Sequence, residues 1–402
     1  MKILLLGNGF DLYHYFPTRY DNFLHTVDFL QKHYDEKTMS TIGDVFGDER
    51  LLKTDSFIPK CYEKYSSVYN DFKLDVDKIN QIISLSKDNI WFKYFLSVFN
   101  KELGWIDFER EIARVIHAFE MFFLKETAVS DISFPTDKID EYIIKFFDFF
   151  YENKVLDPSD SSWLSVYRVN AVLKEYQIEK LYGSKIVTIN KFKIIEKLYD
   201  KLLNLSEILK LYLEVFVNDA IDMISEQHLL PKTSLFNGVD TVITFNYTTT
   251  FENIYEANNV HHLHGELTDN IILGVNPDAN DEANEEDFVN TDFLKFKKYY
   301  QRVLNGSDIG YLESIKLISE AKTFIDHYGE ELYVAGHSLD VTDEDIIREV
   351  FSLSDEITIV CYNQKAIADS INNLIKIYGK SEFDSIRADT NMKFKLYSDF
   401  EQ

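Results

Sequence analysis

The chain has 402 residues, enough for two or three domains, and its 45% hydrophobic and 27% charged side chains are those of an ordinary globular protein. Its 42 basic and 68 acidic side chains leave a net charge of −26, a field that repels DNA, RNA and anionic lipid. Neither nucleic acid nor a membrane is therefore expected as partner. Two cysteines, Cys61 and Cys361, are too few for a disulfide framework or a four-cysteine zinc site and suit a reducing cytoplasm.

The apolar run after Met1 is shorter than the roughly 7–15 residues of a signal-peptide core, and nothing approaches the ~18 apolar residues of a spanning helix. A soluble cytoplasmic protein is the expectation. The 32 Phe and 25 Tyr point to an aromatic-packed helical body.

Lys2–Leu6 reads as a buried parallel strand stopped by Gly7-Asn8-Gly9. From Asp21 to Leu235 there is little strand signal. Helical spacing recurs at Tyr20–Leu30, Ile90–Phe99, Phe108–Phe123, Ile139–Tyr151 and Lys191–Ile224, with polar connections near 130–136 and 157–162. After Asn237 strand-like runs (Asp240–Phe245, Val260–Leu263, Ile271–Leu273, Glu331–Ala335, Glu356–Cys361, Phe394–Tyr397) alternate with helical ones (Phe293–Val303, Ile309–His327, Asp343–Ser352, Gln364–Tyr378). Such alternation predicts an α/β fold, a mostly parallel sheet with helices on both faces. The opening strand has no near partners, so the expected architecture is one Rossmann-like domain from residues 1–20 and 237–402, with the first strand central. A helical domain, 21–236, is inserted after that strand. The loop Asn276–Asp287 reads as an acidic surface excursion.

Gly7 and Gly9 allow either a tight turn or close approach of a nucleotide; the third glycine of the dinucleotide fingerprint is replaced by Leu12. Asp11 follows, a carboxylate at the sheet mouth able to anchor ribose hydroxyls or to cap a helix. Thr244-Phe245-Asn246-Tyr247-Thr248 ends a strand, where Asn246 faces a ligand crevice or fixes its own turn. In Val260-His261-His262-Leu263-His264-Gly265, strand alternation puts His262 and His264 on one face. No carboxylate or cysteine set accompanies them, so no metal is expected, and His264 is the better general base. Gly336-His337-Ser338-Leu339-Asp340 joins a strand to a helix whose acidic first turn disfavours phosphate, which assigns the loop to ribose or adenine contacts.

Taken together, Gly7–Asp11, Trp105-Ile106-Asp107-Phe108-Glu109, Thr244–Thr248, His262–Gly265 and Gly336–Asp340 resemble the bacterial abortive-infection AbiH family across nearly the whole chain. The resemblance implies phage defence inside bacteria and a distant kinship to sirtuin-like NAD-binding domains. In that comparison Gly7 and Gly9 match the sirtuin glycines, Asp11 replaces a serine, and Pro17 keeps the proline spacing. Asn246 and His264-Gly265 are retained, and Gly336–Leu339 matches a loop. The four-cysteine zinc module has no counterpart.

What the resemblance implies is an enzyme that hydrolyses NAD to nicotinamide and ADP-ribose, with Asn246, His264 and Asp11 catalytic. Gly7, Asn8, Gly9, Phe10, Thr244, Gly336, His337 and Ser338 are the expected contacts to NAD, which is substrate; no metal is involved. A phage trigger or self-association is implied as partner. The rival expectation is a non-catalytic NAD or nucleotide sensor that signals through its helical domain.

Overall fold

Four of the five residues in Lys2–Leu6 are apolar and buried, because this strand is covered on both faces and paired along both edges. In the computed structural model, which describes residues 1–100, 107–126, 177–182, 184–227, 233–256, 259–268, 271–275, 291–307, 315–316, 320 and 330–400, it is the first of eight strands. They are β1 (Lys2–Leu6), β2 (Gln177–Tyr182), β3 (Ser184–Ile189), β4 (Thr241–Thr244), β5 (Val260–His262), β6 (Glu331–Ala335), β7 (Glu356–Cys361) and β8 (Lys393–Leu396). Six form one sheet in the order β5-β4-β1-β6-β7-β8, and every pairing in it is parallel. Counted along the chain within the sheet, this is 3-2-1-4-5-6, the doubly wound order whose direction reverses beside the first strand. The expected α/β sheet with a central first strand is what forms.

Alternation along β1 splits the core. Ile3 and Leu5 face one cluster with Val334 of β6 and with Ile346, Ile347, Val350, Phe351, Leu374 and Ile377 from the helices Glu344–Ser352 and Gln364–Asp389. Leu4 and Leu6 face the other, with Phe10, Leu235, Phe236, Val242 and Phe251. Lys2 Nζ, at the amino end of the strand, donates to the carbonyls of Leu235 (2.7 Å) and Asn237 (2.9 Å) and so ties the strand to the segment before β4.

By contacts the chain divides into two compact units: Met1–Ile83 with Glu207–Ile272 and Lys298–Gln402, and Ser84–Ser206 with Leu273–Lys297. The unit that holds the sheet thus takes in helices Tyr20–His33, Ile42–Phe46, Glu49–Leu52 and Ile58–Asp71 as well as residues 1–20, 237–272 and 298–402. Buried tyrosines hold this helical layer to the first loop. Tyr65 donates to the His14 carbonyl and Tyr212 to the Pro17 carbonyl, each at 2.7 Å.

In the second unit Asn89 caps helix Ile90–Phe99 by accepting from Phe92 N (3.0 Å) while its amide donates to Lys201 O (2.8 Å). Trp91 Nε1 donates to Leu198 O at 2.9 Å, Tyr94 donates to Glu111 at 2.7 Å, and Phe95 stacks on Phe108 with centroids 4.1 Å apart.

The structure departs from the sequence expectations at several places. The antiparallel hairpin β2–β3 lies in the stretch read as helical; its β-branched run Ile186-Val187-Thr188-Ile189 is the signal. Lys191–Ile224 is not one helix but Lys191–Leu213, a π-turn at Glu214–Asn218, and Asp219–Glu226. Phe293–Val303 breaks into Thr291–Phe296 and Lys298–Asn305 around Lys297, which bridges to Val275. Ile271–Leu273 is no strand: the Ile272 amide bonds to the His264 carbonyl (2.8 Å) instead of to a sheet neighbour. The expected helix Ile139–Tyr151, the connections near 130–136 and 157–162, the loop Asn276–Asp287 and nearly all of Ile309–His327 lie outside the described residues.

The loops after β1 and β6 press backbone on backbone. A Cβ on Gly336 (φ +71°) would stand 2.2 Å from Phe10 N and 2.6 Å from the Gly9 carbonyl carbon. Gly306 (φ +66°) has equal backbone strain but nothing within 4 Å. Gly306→Ala is therefore expected to cost only about 1–2 kcal/mol of left-handed strain. Gly336→Ala should cost a further ~1–3 kcal/mol or more for overpacking. Urea denaturation of the two variants checks this, and equal losses would refute the close approach.

Candidate functional site

Loops after β1, β4, β5 and β6 meet at the carboxyl edge of the sheet, the edge where doubly wound folds bind ligands. The glycines after β1 serve loop-to-loop packing first. Gly7 N bonds to Ala335 O (3.2 Å), Gly9 N to Gly336 O (2.7 Å) and Phe10 N to Gly7 O (2.9 Å), so these amides are engaged within the protein. Asn8 Oδ1 accepts from the Thr18 hydroxyl, and Tyr362 donates to the Gly9 carbonyl. Phe10 is fully buried, with its ring 4.4 Å from His14 and 5.2 Å from Phe236, and so belongs to the core. Ser338 is exposed, and its carbonyl accepts from Asn373 (3.0 Å).

Asp11 lies one turn on, 1% exposed. Thr248 donates to its Oδ2 at 2.7 Å and Thr250 donates to Thr248 at 3.0 Å, while the buried Oδ1 has no hydrogen bond. Burial, the largest influence, pushes the carboxyl up to about 7; the threonine hydroxyls oppose it and Glu252 adds to it. Asp11 is thus a carboxyl held near neutrality, joined through Thr248 to the loop that carries Asn246.

Asn246 is 7% exposed, and its backbone N donates to Thr244 Oγ1 (3.0 Å), which turns the Thr244 hydroxyl into the loop. Its carbonyl contacts His262 Nδ1 at 2.8 Å; a carbonyl only accepts, so Nδ1 carries a proton. His262 Nε2 meets Glu252 Oε1 at 2.7 Å. Burial works against charge on His262, but Glu252 outweighs it and the imidazole is held above its ordinary range. Glu252 and His262 line one wall of a cavity of about 310 Å³, faced by His261, Glu266 and Ser307.

His264 does not share the face of His262. β5 ends at His262, so the strand alternation stops there and His264 enters a turn with different neighbours. It is 6% exposed, edge-on to Phe245 (5.1 Å), and its Nε2 stands 3.4 Å from Asp343 Oδ1. That contact is electrostatic: the buried Nε2 has no partner in hydrogen-bonding geometry. Burial first, then the Lys298 ammonium, lower the imidazole to about 4, with Asp343 opposing. Phe245 also lies 4.2 Å from the His337 ring and so touches both histidines.

Asp343 is the hub. Its Oδ1 accepts from Lys298 Nζ at 2.7 Å and its Oδ2 lies 3.3 Å from His337 Nε2. Burial disfavours its charge, but Lys298 and the two imidazoles hold it well below the ordinary carboxylate range. Lys298 is 1% exposed, and Arg302 beside it pairs with Asp345. Sequence reasoning gave no site role to Asp343, Lys298 or Glu252. Asp343 sits in an acidic first helical turn and Lys298 in the run Lys295-Phe296-Lys297-Lys298, both of which read as solvated surface.

Expected nucleotide contacts are accordingly split. Asp11, Asn246, His264 and His337 lie at the sheet edge, while Phe10 and the amides of Gly7 and Gly9 are used internally. Among the described residues no group of three or more His, Cys, Asp or Glu side chains is placed to hold a metal ion, and no helix is long and apolar enough to cross a membrane.

A family model described as bacteriophage abortive infection AbiH matches residues 3–363. The chain belongs to the AbiH family. That family points to a role in phage abortive infection, and the matched span covers the loops after β1, β4, β5 and β6. No curated protein and no solved structure matches the chain.

Two buried groups give opposite pH signatures. Asp11 is raised from 3.8 to about 7, so its stability contribution is full below about pH 4 and is lost as pH rises toward 7. His264 is lowered from 6.5 to about 4, so its contribution is full above 6.5 and is lost as pH falls toward 4. Relative to wild type, Asp11→Asn is therefore expected to gain stability from pH 4 to 7, on the order of a few kcal/mol, and His264→Gln to gain as pH falls from 6.5 to 4. Urea melts of the three proteins at matched pH values decide it. A difference from wild type that does not change with pH would show that the group is not shifted.

Proposed function

We propose that this AbiH-family chain acts in phage abortive infection by hydrolysing NAD to nicotinamide and ADP-ribose at the carboxyl edge of its sheet. One observation carries the reading. The 3-2-1-4-5-6 strand order supplies a nucleotide-type edge, and Asp11, Asn246 and His264 lie on three of its loops.

In the reaction the bond between ribose C1′ and the pyridinium nitrogen breaks, and its electron pair leaves with nicotinamide. The resulting oxocarbenium-like centre calls for a nearby carboxylate, the role of Asp11 once ionised near neutral pH. Water then forms the new bond to C1′, positioned by the Asn246 carboxamide, and His264 takes its proton. The low affinity of His264 for protons keeps the imidazole neutral, and so able to accept, throughout the physiological range.

A second reading is a sensor that binds NAD without chemistry; the engaged amides of Gly7, Gly9 and Phe10 leave less backbone to cradle a pyrophosphate under either reading. The two readings part on whether bound NAD is consumed.

The test is release of nicotinamide from NAD by purified protein, with and without phage components. His264→Ala is expected to lower turnover per folded molecule by about 10²–10⁴-fold. Asn246→Ala should also fall steeply, with thermal melts on the same preparations to count folded protein. Wild-type turnover in either variant removes that residue from the mechanism. Binding of NAD with no release under any condition favours the sensor.

A further inference from the structure

The buried grouping around Asp343 has no role in the chemistry above, yet it touches the one side chain given the part of base. Its three polar neighbours come from separate stretches of chain: His264 just past β5, Lys298 at the start of helix Lys298–Asn305, and His337 just past β6. Lys298 is tied twice, to Asp343 Oδ1 at 2.7 Å and to the Thr342 carbonyl at 3.1 Å. That tether fixes one carboxylate oxygen toward His264 and leaves the other toward His337.

Imidazole tautomers follow from these positions. The Leu339 amide donates to His337 Nδ1 at 2.9 Å, so Nδ1 is an acceptor and the proton of neutral His337 sits on Nε2, facing Asp343 Oδ2. His264 makes no hydrogen bond through Nδ1 among the described residues, and its buried Nε2 is 3.4 Å from the anionic Oδ1. A lone pair on Nε2, only 3.4 Å from that anion, would be repelled. A proton there is attracted. The other charges facing this ring are Lys298 and Arg302; Arg302 is already paired with Asp345. Neither cation can accept a proton from the ring, so Asp343 is the neighbour that selects the tautomer.

We propose that Asp343 is a positioning residue for His264: its carboxylate, tethered by Lys298 and shared with His337, keeps the single imidazole proton on Nε2 and leaves Nδ1 as the basic atom. The catalytic meaning of this arrangement rests on the reading of His264 as the base of NAD hydrolysis; the tautomer itself does not.

The test compares wild type with Lys298→Met/Asp343→Ala, which removes the carboxylate and its ammonium together and so strands neither buried charge. Long-range proton–nitrogen NMR of the labelled full chain reads which ring nitrogen of His264 is protonated. Wild type is expected to carry the proton on Nε2, and the double variant to shift toward Nδ1 protonation or a mixture. Nicotinamide release is followed on the same samples. The double variant should lose about 10²–10⁴-fold in kcat relative to wild type, with KM little changed.

A wild-type proton on Nδ1, or a His264 signature unchanged by loss of Asp343, overturns the proposal even if the enzyme hydrolyses NAD. A tautomer that answers to Asp343 in a protein that never consumes NAD upholds the positioning and sinks the NAD reading instead.

Discussion

The geometry of the candidate site depends on β1 being bonded along both edges. Leu6 is in register with Thr244 of β4 on one side and with Ala335 of β6 on the other. Each of those residues is the last, or next to last, before a loop that carries ionisable side chains. Once the three strands share this register, Gly7, Phe245 and Gly336 leave the sheet at one level. Asp11, Asn246 and His337 then have nowhere to go but its carboxyl edge. More than 200 residues separate β1 from β4, yet closing a loop grows in cost only with the logarithm of its length. The long excursion is therefore thermodynamically tolerable, and the two-sided burial of Ile3 to Leu6 repays it.

That edge is tightly packed. Gly9 and Gly336 meet as bare backbone, and Tyr362 closes over the Gly9 carbonyl. The close approach uses up amides that a glycine-rich turn would otherwise offer to a phosphate. Ionisable side chains, and not a backbone cradle, dominate what is left. They form two groupings. Asp11, Thr248, Glu252 and His262 make a carboxylate-rich set in which His262 answers Glu252. Asp343, Lys298, His264 and His337 make a second set around one anion.

Much of the fold could be read from local pattern. β1, β6 and β7, and helix Ile90–Phe99, fall where apolar runs and periodicity put them. Glycines after β1 and β6 mark real close approaches, although of one loop on another. The hairpin β2–β3 escaped because a short two-stranded pairing is stabilised by its partner strand, and its alternation is too brief to stand out from the helical stretches beside it. The shift of His264 away from His262 escaped because alternation predicts faces only while a strand continues, and where β5 stops depends on its pairing with β4.

By itself, then, the sequence determined the kind of protein this is: an α/β chain with a buried opening strand, motif residues at strand ends, and a net charge of −26. Those properties are encoded in runs of neighbours, through burial and backbone conformation. Tertiary structure alone decided which charges are inside. Lys298 and Asp343 stand 45 residues apart in runs that read as solvated surface, and only packing brings them together in a nearly dry site. The physical reason is that a buried ion pair carries no local signature. Each member would be prohibitively costly alone, and its stability belongs to the pair, which exists only after the chain has folded.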